Sequence, residues 1–213
     1  MAISERRQRE KQKRINDILD AAEDLMFGEA GMDVSIDTIA AKAEVSKGTV
    51  YFYFDSKDLI YLGIGVRSNE LLQKKMMEVL AKESRGLDKA LAICQTYYRF
   101  AKDYPNYFHI KSQADNHMQT VLTANAEHSI AMRYHEVGFA NGKTLRDAIN
   151  EGLEDQSISD KVNPSIAVYT LWAQANGVIQ LIQTKGKTMK EHMGVEPEDL
   201  WGNFIDWTRK CLT

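Results

Sequence analysis

Apolar residues return at intervals of three and four along nearly the whole chain, and no stretch shows the period of two that a half-buried strand requires. Ile15, Ile18, Leu19, Ala22, Leu25 and Met26 form the first such stripe, which predicts a helix from the polar leader to about Ala30, with Gly31 as its stop. Ser35 is a good N-cap for a short second helix that carries Asp37 in its first turn and Ile36, Ile39, Ala40 and Ala43 on its apolar side. Glu44 and Val45 make a turn, after which Ser46 can cap a third short helix carrying Lys47 through Tyr53. The local plan is helix, tight turn, helix.

A fourth helix begins near Lys57, with Asp55 or Ser56 as its cap, and continues to about Leu80. Gly63 and Gly65 lie inside it at a cost of roughly 1 kcal/mol each relative to alanine. Close packing against another helix explains two such glycines best, and a hinge in a moving helix is the sharper alternative. Leu87, Ala90, Leu91, Cys94, Tyr98 and Ala101 then keep one face as far as Pro105. A short helix is expected from Asn106 to Asp115 and a longer one from Thr120 to Gly152, with Gly138 and Gly142 as points where it can break. After a polar loop, Pro164 opens a helix reaching about Lys185, and the last helix starts around Pro197 with acids in its first turn and bases in its last. The fold class is all-α.

Composition narrows the choice of function. The 213 residues are 44% hydrophobic and 27% charged, with three prolines, as in an ordinary globular helical protein. Met1 to Arg14 has no apolar core for a signal peptide, and the longest apolar stretch, Ser165 to Ile182, is interrupted by Gln174, Asn176 and Gln180. A cytoplasmic protein with no membrane partner is expected. Cys94 and Cys211 read as buried reduced thiols. The histidines His128 and His135 are spaced more loosely than the i, i+4 pair that holds one ion on a helix, so no metal and no cofactor are expected. With no phosphate loop and no nucleophile elbow in view, an enzyme is disfavoured. The net charge of -3 means that any attraction to DNA must be local, as in the leader, where Arg6, Arg7, Arg9, Lys11, Lys13 and Arg14 oppose only Glu5 and Glu10. A basic arm of this kind is usually solvated, but it suits phosphates or a minor groove as well.

The string Ser35-Ile36-Asp37-Thr38-Ile39-Ala40, followed by Ala43 through Phe54 and then Ser56-Lys57-Asp58-Leu59, resembles the DNA-binding signature of the tetracycline repressor (TetR) family. The likeness runs from about Lys13 to Ile64. It implies a helix-turn-helix DNA-binding domain over residues 11-71, with the reading motif at about 34-53, and a larger helical effector-binding and dimerisation domain over 72-213. The remainder of the chain is similar only in its helical layout.

Physical chemistry gives the motif its own reading. The N-terminal side chains of a helix seated in the major groove reach base edges. Lys47 can donate to guanine O6 or N7, Gly48 lets the backbone come close, and Thr49 can meet a phosphate, a base edge or a thymine methyl. Tyr51 and Tyr53 offer hydroxyls to phosphates, Ser35 and Ser46 stand at helix starts, and Lys57 adds a charge. Ile39, Ala40, Val45, Val50 and Phe54 are then core. Asp37 departs from the family pattern, because an acid there repels phosphate, and it is left out of the expected contacts.

Double-stranded operator DNA, a second copy of the chain and a small-molecule effector are the partners this reading implies. The resemblance pairs the helix from Pro164 and the last helix with their copies, for which Tyr169, Trp172, Ile179, Trp201, Phe204 and Ile205 are the candidates. Candidate pocket residues are Tyr97, Tyr98, Phe108, Gln113, His117, Met132, Trp172 and Asn176, a mostly apolar set with a few polar groups. Repression relieved by the effector is the implied mechanism. Activation, and sequence-tolerant architectural binding, which the acidic composition disfavours, are the alternatives.

Overall fold

The computed structural model describes residues 2-28, 31-124 and 129-213, and the side chains of these except at 2-4, 115-117 and 119-124. Nine helices and no strand occur among the described residues. In chain order they are α1 (Ala2–Phe27), α2 (Ile36–Lys42), α3 (Lys47–Tyr53), α4 (Lys57–Leu80), α5 (Gly86–Asp103), α6 (Pro105–Ala124), α7 (Ser129–Glu154), α8 (Pro164–Met193) and α9 (Pro197–Leu212).

Two compact units divide the chain. One comprises Met1–Ser68 and Asn106–His135, the other Asn69–Pro105 and Glu136–Thr213. The first unit thus holds α1 to α3 and the first half of α4, and also α6 from Asn106 and the first turns of α7, which lie beyond the consecutive boundary expected near residue 71.

In the first unit, Ile18, Leu19, Ala22 and Met26 of α1 pack with Ile39, Ala40, Val50, Phe54 and the run Leu59 to Ile64, and with Ile110, Ala114, Ala131 and Tyr134. The α4 glycines sit where helices approach closely. A Cβ at Gly65 would lie 2.7 Å from Tyr134 Cε2 and 3.0 Å from Ala114 Cβ, and one at Gly63 would lie 2.8 Å from Leu19 Cδ2. Close packing, rather than a hinge, accounts for both.

Polar groups tie the same helices together. Arg67 of α4 is 2.7 Å from Asp20 and 3.1 Å from Glu23 on α1, while the Tyr107 hydroxyl of α6 donates to Glu23 Oε2 at 3.1 Å. Burial raises the Glu23 carboxyl above its ordinary value, outweighing the pull of Arg67 and Tyr107, and burial beside Glu23 pushes the Tyr107 phenol up to about 12. A raised carboxyl means that the folded chain holds this proton more tightly than the unfolded chain. The stability this gives is complete below the ordinary value of 4.5 and is lost as pH rises through the raised value. Glu23→Gln removes the titration, so in urea melts across this window the variant should gain on the wild type as pH rises. Parallel curves would refute this account of Glu23.

In the second unit, Tyr98 of α5 stacks on Trp201 of α9 at 4.5 Å, and the Trp201 indole N–H donates to Gln95 at 2.9 Å. The start of α5 is satisfied from a distance: Asp155 accepts from Gly86 N at 2.7 Å and Ser157 accepts from Leu87 N at 3.0 Å. As expected, Pro164 opens α8, where Asn163 Oδ1 accepts from Ile166 N at 3.1 Å. Cys94 is buried, whereas Cys211, expected to be buried, is exposed near the end of the last helix. Three expectations about helix bounds are also corrected. Helix α6 continues to Ala124, α7 passes through Gly138 and Gly142 without a break, and α8 runs past Lys185 to Met193, ending at Gly194 with φ 65°. A glycine within a packed helix costs stability but need not end it, whereas the left-handed conformation of Gly194 does terminate one.

Candidate nucleic-acid interface

The reading motif is built by two serines. Ser35 Oγ accepts from Thr38 N at 3.1 Å at the start of α2, and Ser46 Oγ accepts from Thr49 N at 3.0 Å at the start of α3. Each serine also shares a hydrogen bond of 2.8 Å with the hydroxyl of that same threonine. Such caps satisfy backbone donors that a short helix leaves open. Between the helices, Glu44 takes φ 54°, a left-handed conformation uncommon for a residue with a Cβ, and Val45 N donates to Ala40 O at 3.0 Å to close the turn. Ile39, Val50 and Phe54 are fully buried beneath it.

Burying Val50 turns the opposite side of α3 outward. Ser46, Lys47, Gly48 and Tyr51 are exposed, as is Ser35 on α2, while Thr49 and Tyr53 are half-buried. A Cβ at Gly48 would meet only Ser46 Oγ, at 3.7 Å, so nothing stands between this backbone and an approaching duplex. Sequence reasoning missed Phe52, the most exposed aromatic of the motif at 77%, which rests edge-on against Tyr53 at 5.0 Å. Helix arithmetic held the signal: Phe52 lies four residues after Gly48 and three after Thr49, hence on their face.

Electrostatics supplied a second surprise. Lys47 Nζ lies 2.8 Å from Asp37 Oδ2, and Lys57 Nζ lies 2.7 Å from Asp33 Oδ1 and over the Tyr61 ring at 5.7 Å. The hydrogen bond from Lys57 holds the Asp33 carboxyl below its usual range, and the one to Asp37 holds the Lys47 ammonium above its own. The pair with Asp33 offsets part of the charge that Lys57 brings to a phosphate, and the ammonium keeps further protons to donate. Lys57→Ala should therefore weaken binding to all duplexes alike and flatten the dependence on salt, which a titration at several salt concentrations measures; loss of base preference instead would make Lys57 a reader. The basic leader is the start of α1 rather than an extended arm, with Arg6 and Glu10 paired at 2.9 Å and Arg9 and Glu5 at 3.5 Å.

The candidate effector and dimer residues are spread between the units. In the second, Tyr97 donates to Asn176 Oδ1 at 2.9 Å, Asn176 Nδ2 donates to Trp172 O at 2.8 Å, and Tyr98 is held in its stack. In the first, Phe108 is buried, Gln113 is half-buried and Met132 is exposed, while the side chain of His117, like His128 as a whole, lies outside the described residues. Sequence reasoning did not find a polar seam between α4 and α7 in the second unit. There Asn141 Nδ2 donates to Asn69 O at 3.1 Å, Gln73 Nε2 donates to Thr144 at 3.0 Å, and the buried Asn141 Oδ1 has no partner among the described residues.

Of the residues expected to face a second copy, Ile179, Trp201, Phe204 and Ile205 are instead buried within the chain itself. Tyr169 and Trp172 are open to solvent, joined by Ile166 and Leu181 on α8 and by Trp207 on α9. Periodicity marks an apolar face without saying which molecule covers it.

A capped pair of short helices joined by a tight turn is a helix-turn-helix, an arrangement that can seat its second helix in a major groove. Residues 18-64 match the family described as bacterial regulatory proteins, tetR family. Comparison with curated protein sequences finds no match. Among solved structures, a tetR-family regulatory protein from Rhodococcus RHA1 is similar with a TM-score of 0.66 at 12% identity, over 94% of this chain and 97% of that one. The TetR-family repressor FadR of Thermus thermophilus, in complex with lauroyl-CoA, gives 0.64 at 14% identity over 93% and 95%, and FadR of Bacillus subtilis, in complex with stearoyl-CoA, gives 0.61 at 15% over 92% and 98%. These likenesses are of fold. No described helix is long and apolar enough to cross a membrane.

Proposed function

We propose that the chain is a homodimeric repressor that occupies an operator with two reading heads and is released by a small-molecule effector. The observation that carries this reading is the exposed face of α3, where Lys47, Gly48, Tyr51 and Phe52 stand over a fully buried Val50. One head makes few contacts, so two heads on a twofold axis, bound to half-sites one helical turn or a multiple apart, give the required affinity. The apolar side chains left open on α8 and α9 are the surface we assign to the second copy. The effector acts only through its different affinity for the DNA-bound and DNA-free forms, and DNA weakens effector binding by the same factor. In the second unit, the buried acceptor Asn141 Oδ1 suits a polar group of the effector.

Genomic fragments retained by the purified chain identify the operator. Acyl-CoA thioesters, found in two of the structural neighbours, belong in the first panel tested for release, with metabolites of the genes beside the recovered fragments. Release by a panel member supports induction, and tighter retention replaces it with co-repression.

A further inference from the structure

Asp37 is the one acid within the reading motif that touches a reading lysine. Its side chain is 66% exposed in the first turn of α2, and Oδ2 lies 2.8 Å from Lys47 Nζ, which is 52% exposed at the start of α3. A carboxylate facing a phosphate-lined groove lowers affinity for every duplex alike. Pairing with Lys47 cancels that charge and leaves a neutral couple, one donor and one acceptor side by side.

The major groove offers a matching couple. A carboxylate needs a donor, and cytosine N4 presents one. Guanine and thymine present acceptors in the corresponding places and repel a carboxylate, while adenine offers its N6 donor only beside the N7 acceptor, which disfavours a carboxylate relative to an amide. Lysine has the complementary preference, donating to guanine O6 or N7. Within a C·G pair, N4 and O6 are hydrogen-bonded to each other at about 2.9 Å, nearly the Lys47–Asp37 separation. An ammonium has three protons and a carboxylate about four lone-pair sites, so the protein pair keeps its own bond while each member makes one more.

We propose that Asp37 and Lys47 read as a unit, with Asp37 accepting from cytosine N4 and Lys47 donating to guanine, so that each half-site requires C·G at one position. The inference rests on the DNA-reading function above and assigns specificity, rather than affinity, to Asp37.

The test selects from a random-sequence duplex library with the full-length chain, using the wild type, Asp37→Ala and Asp37→Asn, after matching thermal melts show all three folded. Duplexes altered singly at each selected position are then titrated. We expect the wild type to enrich a motif with C·G at one position of each half-site, and Asp37→Ala to lose about tenfold or more of that discrimination. The same variant should bind random duplex more tightly, with a salt slope steeper by about one per head because Lys47 is uncovered. Asp37→Asn should move the preference from C to A, whose N6 and N7 suit an amide. If Asp37→Ala keeps the wild-type base preference, Asp37 merely holds Lys47 and the proposal is overturned; retention of C by Asp37→Asn overturns it equally. Failure of the wild type to enrich any motif would instead sink the DNA-reading function itself.

Discussion

Tyr169→Asp should abolish operator binding at concentrations where the wild type is saturated, with a loss of about 100- to 10,000-fold, while the chain stays folded. Tyr169 is 72% exposed and belongs to an apolar group on α8 with Ile166, at 65%, and Trp172, at 47%. An aspartate there meets only water in a single chain, so the fold has no reason to respond. In a dimer it places a charge and its copy in a desolvated interface, where neither has a partner. Separating the heads removes the high effective concentration that the second gains once the first has bound, and that advantage is commonly worth about 10²–10⁴. Sedimentation and DNA titration on the same sample check the result. A monomer that binds as well as the wild type, or a variant that remains a dimer, refutes the assignment of this surface.

Gly86→Ala should be the most damaging single methyl group in the second unit. A Cβ at Gly86 would lie 1.9 Å from Gly152 N and 2.3 Å from Gly152 Cα, so the obstruction is the backbone of α7 and not a side chain that can rotate away. The α7 backbone has little room to retreat, because a Cβ at Gly152 would itself lie 2.5 Å from Ile158 Cδ1. Moving α5 outward strains the bonds from Asp155 and Ser157 that cap its first turn. Overpacking of this kind costs about 3 kcal/mol. For a chain of this length that lowers the melting temperature by roughly 6–12 °C, readable by calorimetry. Unchanged melting would show that α5 and α7 do not approach so closely.

The two glycines of α4 and the two at the α5–α7 contact illustrate what can be read in a sequence and what cannot. Gly63 and Gly65 stood out because they interrupt a strong helical pattern, and the interruption itself announced close packing. Gly86 sat at a helix start, where glycine is unremarkable, and only the neighbouring helix gives it meaning. The same division holds at the candidate DNA interface. Ser35, Ser46 and the buried Ile39, Val50 and Phe54 follow local rules of capping and periodicity, so α2, the turn and α3 were legible in detail. The Lys47–Asp37 contact joins residues ten apart across a turn, and Asp33 reaches Lys57 across 24 residues; neither leaves a periodic trace.

Long-range partners decide what periodicity leaves open. An amphipathic α9 looks the same whether its apolar face meets α5 of its own chain or a second molecule, and only the fold shows Trp201 stacked on Tyr98. Likewise, membership of α6 in the first unit depends on Ile110, Ala114 and the bond from Tyr107 to Glu23, none of which its own sequence window reveals.

The central claim is that α3 seats its exposed face against base edges, twice per molecule. Nuclease protection on a selected duplex, with scrambled duplex in excess at moderate ionic strength, examines this most directly. Two protected half-sites related by a twofold axis, their centres one helical turn or a multiple apart, are the predicted result. Protection that is uniform along the duplex, or that scrambled duplex abolishes on equal terms, would contradict it.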